Sequence, residues 1–417
     1  MNRTALLFPG QGSQYVGMGQ DIYKSSSIVR ETFEEAEETV GIELSKICFE
    51  DNNGTLTSTE IAQPAILTLS VAQFRLLNER YEINPSLLAG HSLGEYSALC
   101  CSEVFSFSDA LKIVQKRGQL MKDTSQMKGT MAAVIGIDSN EVTSVCLELL
   151  SLGHIVGIGA YNSLTQCSIS GEKKAVEMAS TRLKKMGGTV IPLNVSGAFH
   201  SSLMNEAATE LRKTLEKYRF SRMKWPVLSN VTGEPHHGVN NIIDNLVLQM
   251  TAPVQWIENM NYLLKKNITH AIELGPGTVL NNLSKEFNGL EVYSYDTEKD
   301  AEILINLLTP EEDRLAFIGR ALATAVCIKN NNDDVEQYKL GVIEPYQRIK
   351  EMYLLLEKKQ ETPTMEQLKE TIEMLLTVIQ TKKADMQECN IRIKSLLYET
   401  GTKDLLKEIN LPFNLMH

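Results

Sequence analysis

The chain has 417 residues, 43% of them hydrophobic and 22% charged, which supplies apolar material for more than one sizeable core and excludes global disorder. Its 52 acidic residues outnumber 41 basic ones, and the net charge of −11 disfavours general nucleic-acid binding, which needs clustered cations against phosphate. The seven cysteines are scattered without a CxxC pair, so neither a zinc site nor a disulfide framework is expected, and reduced thiols in a cytoplasmic protein are.

Residues 5–8 read as a short buried strand that stops at Pro9-Gly10, too soon for a signal-peptide core. No stretch approaches the ~20 apolar residues that cross a bilayer. Leu67, Val71, Phe74 and Leu77 recur at helical spacing and predict a helix over 66–80. A second buried strand is expected at 87–90, between Pro85 and the glycine that ends it. Short apolar strands separated by helices imply a parallel α/β sheet.

Residues 128–195 read differently. A strand at 131–137, a helix at 139–150, strands at 155–161 and 166–170, a helix at 173–186 ending on Gly187-Gly188, and a strand at 189–195 follow in turn. That β-α-β-β-α-β order is the order of a ferredoxin-like unit. The α/β pattern then resumes to about residue 300, including Ala271-Ile272-Glu273-Leu274 ahead of Gly275-Pro276-Gly277. Beyond it strand signals stop. Helices are expected over 311–329 and 344–358, with 330–334 as a loop. Thr364 and Gln367 form a capping-box pattern, and the stripe Leu368, Ile372, Leu375, Ile379 runs on through Met386, Cys389, Ile393 and Leu396, as one unusually long helix.

The chemistry concentrates at a few places. Gly90-His91-Ser92-Leu93-Gly94 is a G-x-S-x-G pattern between an apolar run and a helix, where a sharp turn exposes the Ser92 hydroxyl. The helix start favours a developing oxyanion, with the Leu93 amide placed to donate to it. A serine nucleophile needs a base. Of the seven histidines, His200 at a strand exit has the best context, whereas His236-His237 follows Gly233-Glu234-Pro235 and reads as exposed loop. The loop Gly10-Gln11-Gly12 does not fit the dinucleotide pattern and suits a second oxyanion donor, the Gln11 amide. Arg117 lies on the apolar stripe of a helix over 109–121, with Ala110, Val114 and Met121, while Lys112, Lys116 and Lys122 lie opposite. A buried arginine needs an anionic partner, either an internal carboxylate or a substrate's.

Phe8-Pro9-Gly10-Gln11-Gly12-Ser13-Gln14, Gly90-His91-Ser92-Leu93-Gly94-Glu95-Tyr96 and Arg117-Gly118-Gln119-Leu120-Met121 belong to a larger set. With Phe199-His200-Ser201, Gln249, Pro253-Val254-Gln255-Trp256 and Glu273-Leu274-Gly275-Pro276-Gly277, it resembles the malonyl-CoA:acyl carrier protein transacylases over residues 1 to about 300. The resemblance implies an α/β-hydrolase-like large subdomain (1–127 and 196–300), an inserted ferredoxin-like small subdomain (128–195) and an all-α C-terminal extension (301–417). It implies Ser92 as nucleophile, His200 as base with Gln249 orienting it through the main-chain carbonyl, and Gln11 and Leu93 as oxyanion donors. Arg117 would grip the malonate carboxylate, and Phe199 would leave little room for a 2-methyl branch. No metal or bound cofactor is implied. The partners would be malonyl-CoA and a holo acyl carrier protein, with no nucleic acid and no membrane, and a local basic patch near Ser92 is expected to meet the carrier.

Leu164 stands where the family usually has proline, and the helical extension is absent from stand-alone fatty-acid-synthesis members. Extended forms resemble the free-standing acyltransferases that serve polyketide synthases. Two other readings compete: an acyl hydrolase that proofreads carrier-bound groups, disfavoured by Arg117, and a helical docking or scaffold role.

Overall fold

In the computed structural model, residues 4–81, 83–125, 129–195, 197–308 and 313–402 are described. The chain divides into two units, Met1–Leu304 and Ile305–His417. Among the described residues no helix is long and apolar enough to cross a membrane.

The first unit contains two sheets. Strands β1 (Thr4–Phe8), β2 (Leu87–Gly90), β8 (His270–Glu273) and β9 (Glu291–Ser294) form a parallel sheet in the order β2-β1-β8-β9. Ala5 pairs with Leu87 on one side and Ala271 on the other. Every residue of β2 is buried, as a strand covered on both faces should be. The helix Thr59–Tyr81 starts about two turns before the predicted one and accommodates Pro64 inside it.

The second sheet takes β3 (Gly129–Ile135), β4 (Val156–Tyr161), β5 (Gln166–Glu172) and β6 (Thr189–Pro192) in the order β6-β3-β5-β4. The helices Ser139–Ser151 and Lys173–Lys185 turn their apolar stripes to it, and Val142, Leu149, Ala179 and Leu183 share a core with Val134 and Ile169. This is the ferredoxin-like arrangement, inserted into an α/β-hydrolase-like body. Strand β6 is shorter than expected and ends at Pro192, one residue before the Leu193 amide makes a last bond to the Met131 oxygen at 3.0 Å. The two-residue strand β7 (Val254–Gln255), contributed by the large body, pairs parallel with β4 and extends the small sheet.

The second unit is helical among its described residues. Arg314–Cys327, Glu344–Lys359 and Met365–Thr381 occupy the expected positions, and Thr364 and Gln367 form the capping box. Phe317, Ile318, Ile349, Leu375 and Val378 anchor a core of their own. The single long helix over 364–396 does not form. It breaks after Thr381, Lys383 takes a φ of 50°, and a separate helix Met386–Glu399 follows. The break is held by Lys382, whose buried Nζ donates to the Ala325 and Ile328 carbonyls at 2.8 and 2.9 Å. A short segment, Val335–Tyr338 with the π-turn Lys339–Ile343, precedes Glu344 and was not expected.

Candidate active site

Ser92 stands between β2 and the helix Leu93–Cys101, with φ 52° and ψ −104°. Such a conformation costs roughly 1–3 kcal/mol for a residue with a side chain and persists only where its surroundings enforce it. The flanking glycines show the enforcement. A Cβ on Gly90 would lie 1.9 Å from the Gly94 carbonyl carbon and oxygen, and one on Gly94 would lie 1.9 Å from the Phe8 oxygen. The elbow is therefore pressed against the end of β1. Gly10 in the following loop approaches as closely, since its Cβ would fall 2.4 Å from the His91 oxygen. This contact sets the backbone around Gln11 beside the elbow, while the Gln11 side chain donates to Thr59 Oγ1 at 3.1 Å. Leu93 is the first helical residue, so its amide has no intrahelical acceptor.

The turn after β6 brings in His200, also at positive φ (58°). Its Nε2 is 2.8 Å from Ser92 Oγ, and its Nδ1 is 2.7 Å from the Gln249 main-chain oxygen. A carbonyl only accepts, so Nδ1 carries the hydrogen and Nε2 offers its lone pair to the serine. Burial, reinforced by the Arg117 charge and opposed by the Gln249 carbonyl, lowers the His200 pKa to about 3. The imidazole is neutral and able to accept a proton across the physiological range.

Arg117 is 1% exposed, and its partners are neutral. Nη1 donates to Gln63 Oε1 at 3.0 Å, and Nη2 to Gln249 Oε1 at 3.0 Å and Ser92 Oγ at 3.2 Å. The Tyr96 ring covers the guanidinium at 5.2 Å. The internal carboxylate partner considered for Arg117 does not contact it. The helix Phe107–Ser125 buries Ala110, Val114 and Met121 with it and exposes Lys112 and Lys116, whereas Lys122 pairs with Glu60. Phe199 is buried next to His200 in the chain, and its carbonyl accepts from Ser170 Oγ at 2.6 Å.

Ser92, His200, Arg117 and Gln249 thus converge within direct hydrogen-bond reach. His91 turns away from the hydroxyl and meets Asn162 Oδ1 at 2.9 Å. Several participants carried no sequence signal. Gln63 sits on the buried helix Thr59–Tyr81. Asn230 accepts from the Ser92 amide at 2.7 Å and donates to the Gly90 oxygen at 2.7 Å, clamping the elbow from behind. The expectation for His236 is corrected: it is 3% exposed and bonded to Glu95 Oε1 at 2.8 Å, while His237 is exposed. The isolated bridge between Leu228 and Pro235 and the bond from the His236 amide to the Val227 oxygen fold that loop inward. Among the described residues no group of three or more His, Cys, Asp or Glu is placed to hold a metal ion.

A serine on a strained strand-to-helix elbow, a neutral imidazole in contact with it and two amides beside it are the components of covalent acyl transfer. The comparisons with known proteins agree. The acyl transferase domain model matches residues 5–314. A malonyl CoA-acyl carrier protein transacylase of Bacillus subtilis is 35% identical over 389 residues, covering 92% of this chain and 97% of the relative. That coverage carries the similarity past residue 314 into the helical unit. Another, from B. subtilis strain 168, is 39% identical over 316 residues, 75% of this chain and 99% of its own length. Among solved structures, the malonyl-CoA:acyl carrier protein transacylase of Xanthomonas oryzae pv. oryzae superposes with a TM-score of 0.71 at 35% identity, covering 74% of this chain and 98% of that one. A malonyl-transacylase solved with its type II PKS acyl-carrier protein gives 0.70 at 35% identity, over 73% and 99% of the two chains. The chain belongs to the acyl transferase family, among the malonyl CoA-acyl carrier protein transacylases.

Proposed function

We propose that this chain moves a malonyl group from malonyl-CoA to the phosphopantetheine thiol of an acyl carrier protein in two half-reactions. His200 Nε2 takes the Ser92 hydroxyl proton as Oγ attacks the thioester carbonyl. The Leu93 and Gln11 amides receive the oxyanion. The C–S bond then breaks, and the CoA thiolate leaves with the proton from His200, so that the malonyl ester remains on Ser92. The carrier's thiol gives its proton to His200, attacks the ester carbonyl, and returns Oγ to Ser92 with that proton. The scheme calls on no resident metal or cofactor, because nucleophile, base and oxyanion donors are all groups of this chain.

The observation that carries the reading is Arg117. A buried guanidinium with neutral partners, Nη2 lying 3.2 Å from the acylated oxygen, is a charge left for a carboxylate a few bonds along the acyl chain. We place the carrier in a polyketide pathway, supported by the helical unit beyond residue 304 and by the likeness to a transacylase solved with a type II PKS carrier protein. The test incubates the protein with malonyl-CoA or acetyl-CoA and follows Ser92 acylation and delivery to polyketide and fatty-acid holo carrier proteins by intact mass. Malonyl preference with transfer outrunning hydrolysis is expected. Hydrolysis outrunning transfer would establish the hydrolase instead, and delivery only to the fatty-acid carrier would overturn the pathway assignment.

A further inference from the structure

Behind the nucleophile lies a buried polar cluster of which only Gln249 touches the groups used in the reaction above. Gln249 is at its centre and fully buried. Its main-chain oxygen orients His200 and its Oε1 accepts from Arg117. Its Nε2 donates to Glu95 Oε2 at 2.6 Å and to the Ser92 oxygen at 3.0 Å. Glu95 is itself fully buried. Its Oε2 also accepts from the Asn230 amide at 3.1 Å, and its Oε1 accepts from His236 Nε2 at 2.8 Å. Asn245 Nδ2 meets His236 Nδ1 at 3.2 Å, so the imidazole presents Nε2–H to the carboxylate.

The two ends of a carboxamide are nearly equal in shape and opposite in hydrogen bonding. Were the Gln249 amide flipped, its NH2 would face the Arg117 donors and its oxygen would face the Glu95 carboxylate. A carboxylate only accepts, so Glu95 admits one orientation. We propose that Glu95 is a positioning residue: it sets the Gln249 carboxamide so that a neutral oxygen, rather than a negative charge, holds Arg117, and the guanidinium charge stays free for the substrate carboxylate. One carboxamide separates the anion from the cation. Direct contact would neutralise Arg117, and no anion at all would leave its holder free to turn over. Burial lowers the Arg117 pKa, and the Glu95 charge is among the groups pulling it back up, consistent with an influence across the amide.

This inference rests on the malonyl-transfer reading, and the experiment keeps the two separable. In Glu95→Gln, the isosteric side chain must present an NH2 either to the His236 or to the Gln249 donor, and the amide loses its fixed sense. Ser92 acylation is measured with malonyl-CoA and acetyl-CoA in wild type and variant, with thermal melts to verify folding. The malonyl-to-acetyl ratio is expected to fall at least about tenfold, a difference of about 1.4 kcal/mol, while acetyl acylation stays within about threefold. An unchanged ratio overturns the proposal. So does an increase, which is what removing a nearby negative charge would produce if the effect were purely Coulombic. Should Glu95→Gln fail to fold, Glu95→Asp keeps the charge but withdraws it by one methylene, and the same fall in ratio is required. Protection of Ser92 by free malonate against a neutral fluorophosphonate reads anion binding without any transfer. If wild type transfers no malonyl group, the functional reading fails, while loss or retention of malonate protection in the variant still decides the role of Glu95.

Discussion

Acidification should destabilise the catalytic unit through His200 more than through an ordinary histidine. An exposed or unfolded histidine takes up its proton near pH 6.5, whereas the folded site resists protonation down to about 3, because burial and the Arg117 charge both oppose a second cation. With the folded pKa depressed, the unfolded chain binds more protons in the interval between the two values. The stability tied to neutral His200 is therefore fully present above pH 6.5 and is lost progressively as the pH falls toward 3. Between pH 7 and pH 4 that interval amounts to about 3 kcal/mol, a large share of a typical domain's net stability. Other groups titrate too, and Glu273, raised to about 7 by burial despite its bonds to the Leu280 and Asn281 amides, acts in the opposite sense. The comparison is therefore a double difference. Urea denaturation of wild type and His200→Gln is measured at pH 7 and at pH 4, and the variant should lose about 3 kcal/mol less across the step. Parallel losses would show that His200 is not held neutral by its surroundings and would remove the basis for its assignment as a ready base.

Arg117→Ala should lower kcat/KM for malonyl-CoA by about two to four orders of magnitude, the cost of about 3–5 kcal/mol for leaving a buried carboxylate without its partner. Acetyl-CoA kinetics measured in parallel should change only a few-fold. Gly90→Ala drives a methyl into the Gly94 carbonyl 1.9 Å away, so Ser92 labelling by a fluorophosphonate should collapse, and denaturation should report a loss on the order of 3 kcal/mol. Lys382→Met leaves the Ala325 and Ile328 carbonyls without their buried donor and should cost the helical unit about 1–3 kcal/mol in chemical denaturation.

The legible part of the site is the part written in contiguous motifs. Ser92 follows a buried strand and precedes a helix, and Arg117 interrupts an apolar stripe, so local pattern alone locates both. Gln63 and Asn230 are polar residues on segments with no pattern that marks them, and they meet the site through topology that no short window contains; Glu95 lies within the Gly90–Tyr96 motif, but its partners His236 and Gln249 do not. The same limit misplaced His236, whose turn-rich neighbours Gly233-Glu234-Pro235 resemble any surface loop until the backbone bridge to Leu228 draws them in. In the helical unit the apolar stripe stays in phase through Met386 and Cys389, but periodicity does not register one residue at positive φ, and Lys383 divides the helix there. The succession of elements in 128–195, by contrast, is readable because each is a short segment of clear periodicity, although only β4 and β5 of the resulting sheet are neighbours in the chain.

Ser92 and His200 reach each other from different sheets. Ser92 rises from β2 in the parallel sheet, His200 lies just beyond β6 of the antiparallel one, and the chain from Gln249 runs directly into β7, the strand that closes onto β4. The 2.8 Å contact between them is thus a measure of how well the two sheets are registered. A change in packing that spread the layers by a few tenths of an ångström would stretch that one bond without altering either side chain.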